Sequence, residues 1–532
     1  MGYIKGSDRR QITFFPESLD EYVSENNSVR VIDAFVDSID LIKAGFINAI
    51  PAKEGRPGYD PRHLLKLYIY GYFNKIRSSR KLMTECTRNV EVMWLLDKLS
   101  PDFRTIADFR KDNAKALKNV FRAFVKVCMD LNLYKKELVA IDGSKFRAVN
   151  SKDKNFTVSK LEKKLKRIEK NIDEYLVQLD EYDSTEERSE DITKEELHEK
   201  IETLKQRQET YNEYLKEMKE NNETQKSLTD PESKLMRTHS GGFDVCYNVQ
   251  TAVDDGHHMI ADFEVTSNCN DIGLLHTVAQ NTKEVLETEI LEIVADKGYE
   301  SNEDMLECLK KGIIPNVALK DDATESEISL AYEELEIDST LLESAKPEDI
   351  QKCLKAGVLP TVYLDKNIEV EVVKKVVSGS SDKCFNLNED GNSVTCPEGK
   401  ILNKSAYLKN KKSTRFVNRL ACSKCTNKCT KSKFKQVDLK DGQSILYLKS
   451  DNLIKIVVIK IKPDKEKVKK RKSIVEHPFG TIKRWCDGSY LLMKGKLKAT
   501  ADLSLSFLAY NMKRAINVIG IERLMVQIAL IQ

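Results

Sequence analysis

The stretch from Phe243 to Leu319 constrains the fold more than any other part of the chain. GGFDVCYNVQTAVD and HHMIADFEVTS each alternate polar and apolar residues, the signature of two strands. A helix is predicted from Asp271 to about Thr288, then an apolar strand, Leu291 to Ala295, that ends at Asp296. A helix from Asn302 to Lys311 and a strand from Ile313 to Leu319 follow. Strands alternating with helices bury both faces of a sheet, which predicts a mixed α/β sheet with its site at the strand ends. Upstream, LVAIDGSKFRAVN (Leu138 to Asn150) predicts another apolar strand ending at Asp142, with a second strand after Gly143. Taken alone, Asp142-Gly143 reads equally well as a hairpin turn, and Asp296 as a cap on the turn that follows it.

The rest of the chain divides around this sheet. Residues 1–135 read as helical, with apolar stripes such as Leu64, Leu65, Tyr68 and Tyr72, and Leu117, Val120, Phe121 and Phe124. Asp60-Pro61, Ser78-Ser79 and Ser100-Pro101 mark helix starts. Arg77, Arg80, Lys81, Arg88 and Arg104 fall between the stripes, so the region suits either a helix-turn-helix-like DNA-binding module or an ordinary bundle with a basic face. Residues 136–319 hold the first part of the α/β core. Within them, 158–221 is charged and heptad-like, with one seam through Leu161, Leu165, Ile168, Ile172, Leu176 and Leu179. A second seam runs through Leu197, Ile201, Leu204, Tyr211, Leu215 and Met218. The two predict an antiparallel helical hairpin joined by the polar EYDSTEERSED, serving dimerisation, DNA contact or decoration. Residues 320–460 break the rhythm with an acidic, helical-looking stretch and then a cysteine-bearing segment. Residues 461–532 return to the core, ending in a helix with Leu505, Leu508, Ala509, Met512, Ile516 and Ile519 on one face.

Net charge is only +3, so its distribution says more than its sum. From Lys460 to Trp485 ten Lys/Arg face three Asp/Glu, and a phosphate backbone is the partner such a run suits. Within it, RKSIVEHPFGTIKRW carries one acid, Glu476, after Arg471 and Lys472 and before Lys483 and Arg484. Glu476 and Lys483 are about two helical turns apart, so both can share a face. Singly, Glu476 reads as a capping or ion-paired residue. Asp142 at one strand end, Asp296 at another and Glu476 on a helix together form the ordered set of oxygen ligands that a two-metal phosphoryl-transfer site needs.

Twelve cysteines in a chain of this length are too sparse for a disulfide framework. Cys396-Pro-Glu-Gly followed by Cys422-x-x-Cys425-x-x-x-Cys429 suits a structural zinc, with Cys384 as a substitute ligand; the bland reading is four reduced cysteines in a loop-rich insert. The seven histidines form no hydrolase-like cluster, and no phosphate-binding loop of Walker type is present, so no nucleotide cofactor is expected. No apolar run approaches the ~20 residues of a membrane span, and the first ten residues lack a signal-type apolar core, so the expectation is a cytoplasmic protein.

These same residues carry a resemblance. The chain resembles bacterial insertion-sequence transposases of the DDE type, most closely the group numbered eleven-eighty-two. GRPGYDPRHLLKLYIYGYFNKIRSSRKL resembles the group's N-terminal domain. AIDGSKFRAVNSKDKNFT, GGFDVCYNVQTAVD, ADKGYES and VEHPFGTIKRW resemble its catalytic blocks, and CPEGK and CSKCTNKC its cysteine-bearing insert. The resemblance implies a ribonuclease-H-like catalytic core with Asp142, Asp296 and Glu476 holding two Mg²⁺ or Mn²⁺ ions. It also implies DNA contact by Lys483, with Arg484, Arg471, Lys472, Arg77 and Arg80 as further basic candidates. Transposon ends and target DNA are the implied partners, with a homodimer or higher oligomer on DNA in the bacterial nucleoid. Where the broader pattern places a Tyr and an Arg before the Glu, this chain has Lys469 and Lys472, with Arg471 adjacent. A non-catalytic regulator descended from a transposase, or a nuclease with the same core, are the competing readings.

Overall fold

The computed structural model describes residues 18–51, 54, 57–184, 194–238, 241–321, 323–430, 432–485 and 488–530. Most of the polar link expected between the two heptad seams lies outside them.

The chain opens with helices α1 (Ser28–Asp37), α2 (Leu41–Ala44), α3 (Pro61–Phe73), α4 (Ser79–Arg88), α5 (Val90–Leu95), α6 (Phe103–Asp112) and α7 (Ala114–Asp130). Their starts follow local chemistry. The Asp60 carboxylate accepts from the Arg62 amide with Pro61 in the first turn, and Asp102 accepts from the amides of Arg104 and Thr105. Asp102, rather than Ser100, is therefore the cap of α6, and Ser78 opens α4 without a side-chain cap bond.

The central sheet contains β1 (Leu138–Arg147), β4 (Lys234–Arg237), β5 (Phe243–Asp254), β6 (Ile260–Thr266), β7 (Leu291–Ala295) and β8 (Ile313–Val317). Two short strands, β2 (Asn155–Thr157) and β3 (Gln225–Ser227), pair separately at the base of the helical hairpin. The order is β4-β5-β1-β7-β8, with β6 also on β5; β5 is antiparallel to β1, β4 and β6, whereas β1, β7 and β8 run parallel. Helix α10 (Leu275–Val285) leads from β6 into β7, and helix α11 (Asn302–Lys310) makes the crossover between the parallel strands β7 and β8. α10 starts later than the sequence suggests, leaving Asp271 in the preceding loop.

β1 corrects one expectation. The chain does not turn at Asp142-Gly143; it continues, paired with β5 from Val139↔Asp254 to Arg147↔Cys246. A Cβ on Gly143 would stand 2.5 Å from Gln250 Nε2 and 2.6 Å from Asp271 Oδ1, so glycine is here for close approach rather than for a bend.

The hairpin is present as α8 (Val158–Ser184) and α9 (Lys194–Glu220), with Ile168, Ile172, Leu179, Leu197 and Ile201 in its seam and Leu176 exposed. The segment after β8 is more β than helix. A strand β9 (Ser326–Ala331) and helices α12 (Ser339–Glu343) and α13 (Pro347–Lys355) lead into β10 (Ile368–Leu387), β11 (Ser393–Thr395), β12 (Ile401–Leu408) and β13 (Ser413–Val417). Helix α14 (Arg419–Ser423), β14 (Gln436–Lys440) and β15 (Ile445–Ile461) complete a second sheet, ordered β14-β13-β12-β11-β10-β15-β9. β10 and β15 form a long ribbon, from Ile368↔Ile461 to Asn386↔Ile445, that ends in a small core of Phe385, Val394, Leu402, Phe416, Val437 and Leu439.

Helix α15 (Lys465–Gly480), a π-helical turn (Thr481–Trp485), α16 (Lys496–Ile519) and α17 (Ile521–Ala529) close the chain. α15 packs on β1 and β7, and α16 packs on α3, α7 and β6. The N-terminal helices consequently share one apolar core with the sheet and are not a detached module. Among the described residues no helix is long and apolar enough to cross a membrane.

Candidate active site

β1 and β7 set the frame. They are parallel neighbours with Ala140 opposite Val294, so Asp142 and Asp296, each two residues further on, reach the same level. Asp142 sits in mid-strand with 23% of its side chain exposed. Its Oδ1 accepts from the Gly143 amide at 3.0 Å and its Oδ2 lies 3.3 Å from Arg471 Nη1. Burial pushes the Asp142 carboxyl up to about 6; Arg471 opposes that rise, and the charges of Asp296 and Asp271 add to it. Asp296 follows the last residue of β7 and also caps the short turn Lys297–Tyr299, accepting from the Gly298 amide at 2.8 Å. Capping and site geometry coexist in one side chain.

Glu476 rides on α15 above the same two strands, but its carboxylate is 65% exposed and paired with Lys472 at 3.6 Å. The structure brings Asp142 and Asp296 together, whereas from α15 it is Arg471 that touches Asp142. Lys483 is turned inward. Its ammonium donates to Ser144 Oγ and, at 2.9 Å, to the Lys145 carbonyl, and lies over the Phe146 ring. Burial lowers it to about 8. This cation is held against β1 just past Asp142, where sequence reasoning places it on a phosphate. Arg484 and Arg80 are exposed, Arg80 stacking on Phe103.

Arg77 requires a correction. It is 7% exposed, and its Nη2 donates to Asp502 Oδ2 and to the Tyr490 carbonyl, both at 2.8 Å. A guanidinium sealed between α16 and the chain after the π-helical turn cannot meet DNA from there.

Sequence reasoning also missed Asp271. Its Oδ1 accepts from Asn248 Nδ2 at 2.7 Å and Gln250 Nε2 at 2.8 Å, with Lys145 Nζ at 3.7 Å. Tyr299, buried below, donates to Gln250 Oε1, and its hydroxyl is pushed far up by burial and then by the charges of Asp271, Asp142 and Asp296. The signal available was the pair Asn248 and Gln250, two amides at alternate positions of a buried strand.

As the described side chains stand, no three His, Cys, Asp or Glu residues are grouped closely enough to hold an ion. The donor chemistry nevertheless suits a hard divalent cation: carboxylate oxygens at one level on adjacent strands, with Arg471 supplying the positive charge on Asp142. In the distal sheet, Cys396, Cys422, Cys425 and Cys429 all line one cavity of about 510 Å³. The Cys396 turn folds back so that the Lys400 amide donates to Cys396 Sγ at 3.3 Å, with Gly399 at φ +70°.

The sequence of the catalytic half settles the family. A model described as the transposase DDE domain matches residues 223–512, more than half of the chain. The chain belongs to the DDE transposase family. The match includes Asp271, Asp296 and Glu476 but starts beyond Asp142, which joins them through the pairing of β1 with β7. A second model, a transposase domain (DUF772), matches residues 17–112, the helices before the sheet. No curated protein matches the chain. Among solved structures, the chain is similar to a piggyBac transposase synaptic complex with hairpin DNA, determined by cryo-EM, at 6% identity and a TM-score of 0.29. That alignment covers 95% of this chain and 79% of the other, a likeness too shallow to carry an argument about this transposase.

Proposed function

We propose that this transposase binds the ends of its own insertion sequence, cleaves them by metal-dependent phosphodiester hydrolysis and joins the 3′-hydroxyl ends to target DNA. The reading includes the group numbered eleven-eighty-two and a ribonuclease-H-like core. The sheet supports the latter: an antiparallel meander of β1, β5 and β6 followed by the parallel strands β7 and β8. The observation that carries the proposal is the level placement of Asp142 and Asp296 on adjacent parallel strands of a DDE-family chain.

Asp142, Asp296 and Glu476 would hold two Mg²⁺ or Mn²⁺ ions. When bound, such ions activate a water or a 3′-hydroxyl and offset charge on the leaving oxygen. The chain's own residues prepare the place. Arg471 stabilises the ionised form of Asp142, the Gly143 and Gly298 amides fix one oxygen of each aspartate, and Lys483 braces β1 beyond Asp142. Lys472, four residues before Glu476, shields that acid until it is used. The exposed cations Arg484, Lys472 and Arg80 are the proposed contacts to DNA, with an oligomer on the paired ends. In the distal sheet, Cys396, Cys422, Cys425 and Cys429 are the proposed holders of a structural Zn²⁺.

The test is cleavage of end-containing duplex in Mg²⁺. Asp142→Ala, Asp296→Ala and Glu476→Ala are each expected to slow cutting by at least about a hundredfold while end binding persists. Near-wild-type cutting by any one of them removes that residue from the site. Binding without cutting by the wild type points to a regulator, and cutting without joined product to a nuclease.

A further inference from the structure

Resting on that reading of the site, we propose that Asp271 is its fourth carboxylate, contributing through Oδ2, directly or through one water, to the ion held by Asp296. Two glycines show how closely Asp271 is drawn in. A Cβ on Gly298 would lie 2.9 Å from Asp296 Oδ1 and 3.7 Å from Asp271 Oδ2, so the two carboxylates flank one backbone position. A Cβ on Gly143, the neighbour of Asp142, would lie 2.6 Å from Asp271 Oδ1. Asp271 therefore enters between the middle of β1, at Gly143, and the turn after β7, at Gly298, through space that a side chain at Gly143 would fill.

The two oxygens of Asp271 are treated differently. Oδ1 is locked by the amides of Asn248 and Gln250, which stand opposite Lys145 and Gly143 in the β5 register. Oδ2 is the oxygen turned toward Gly298 and Asp296. An amide clamp on one oxygen that aims the other is how ligand carboxylates are oriented around metals. A second observation points the same way. Asn248 is fully buried, its Nδ2 is committed to Asp271, and its Oδ1 has no hydrogen-bond partner although it lies 3.0 Å from the Cβ position of Gly143. A buried acceptor without a donor is costly, and beside the Asp271 carboxylate the bound water of a cation is a donor that would satisfy it.

The measurement is Mn²⁺ binding to the full chain, read from the electron paramagnetic resonance of free Mn²⁺. Wild type is compared with Asp271→Asn, Asp271→Glu, Asp296→Asn and, as a surface control on α10, Glu284→Gln. Asparagine keeps an oxygen for the two amides and loses only the charge. Asp271→Asn is expected to weaken Mn²⁺ binding by about 10–100-fold, Asp271→Glu to restore part of it, and Glu284→Gln to change nothing. A purely structural Asp271 would instead tolerate Asn better than Glu, because Asn fits the clamp. Wild-type Mn²⁺ affinity in Asp271→Asn with loss in Asp296→Asn overturns the role of Asp271 alone. Wild-type affinity in both overturns the metal reading of the whole site.

Discussion

Asp142 is ionised at a cost. Its carboxyl, at 3.8 in the unfolded chain, rises to about 6 in the fold, chiefly through burial. The folded state therefore holds a proton between these values that the unfolded state has released, and stability falls as pH rises through that window. Above pH 6 the cost is fully expressed. In chelator, Asp142→Asn should be more stable than the wild type at pH 7.5 by about 1–3 kcal/mol and should lose the difference toward pH 4. Urea melts of both proteins at the two pH values check this, and a wild type that gains stability from pH 4 to 7.5 relative to the variant refutes it. The instability is what a bound cation would relieve. At this scale the site was only partly legible. The apolar run LEIVA gives the strand that ends before Asp296, which reads in sequence equally well as a cap, whereas Asp142-Gly143 imitates a turn because the Asp-Gly pair is a turn signal in isolation. Only the partner strand, with Gln250 opposite Gly143, shows why glycine continues the strand. Asp271 was read as a helix start because its loop chemistry is that of a cap; its clamp comes from β5, more than twenty residues away.

At the scale of elements, the strands before Leu319 and the two hairpin helices follow the apolar periodicity. The segment from 320 to 460 does not, because its strands are paired in a ribbon with much of their surface in solvent. Val372 and Ile454 are exposed there. Only part of each strand has a buried face, as at Val457, Ile459 and Ile461, so the pattern that sequence reading relies on is broken along the ribbon. What holds the ribbon's far end is a core of six apolar side chains, small for a unit that carries four cysteines around one cavity. Thiolate ligation would supply the missing stability. Purified protein is expected to contain one zinc per chain, lost in Cys425→Ser, with faster proteolysis in 384–435 and unchanged Mg²⁺ dependence of cutting, since thiolates select zinc over magnesium. Elemental analysis finding no zinc, or the same zinc in Cys425→Ser, rejects the site.

For the whole molecule, the decisive residue is Asp502 on α16, which is completely buried. It accepts from the Tyr72 hydroxyl of α3, from Arg77 Nη2 at 2.8 Å and from the Leu492 amide at 3.0 Å, with Arg110 Nη1 of α6 at 3.7 Å. Arg110 in turn donates to the Tyr72 hydroxyl at 2.7 Å. One carboxylate of α16 thus serves as the shared counter-ion of two buried guanidiniums from the N-terminal helices, and the segment held by Asp502 at Leu492 and by Arg77 at Tyr490 pairs back onto Arg147 at the end of β1. Arg77, which reads as a DNA contact in sequence, is part of an internal tie between the N-terminal helices and the end of β1, invisible because Asp502 lies more than four hundred residues away. Asp502→Asn preserves shape and removes the negative charge beside both buried guanidiniums. The expected loss is about 3–5 kcal/mol. Because α3, α7 and α16 share one core, hydrogen exchange should accelerate in all three together in the variant, while peptides from β11 to β14, at the ribbon's far end with a core of its own, keep their wild-type rates. Acceleration confined to α3 and α6, with α16 unchanged, would mean that the N-terminal helices fold as a unit of their own and that the tie does not couple them to the site.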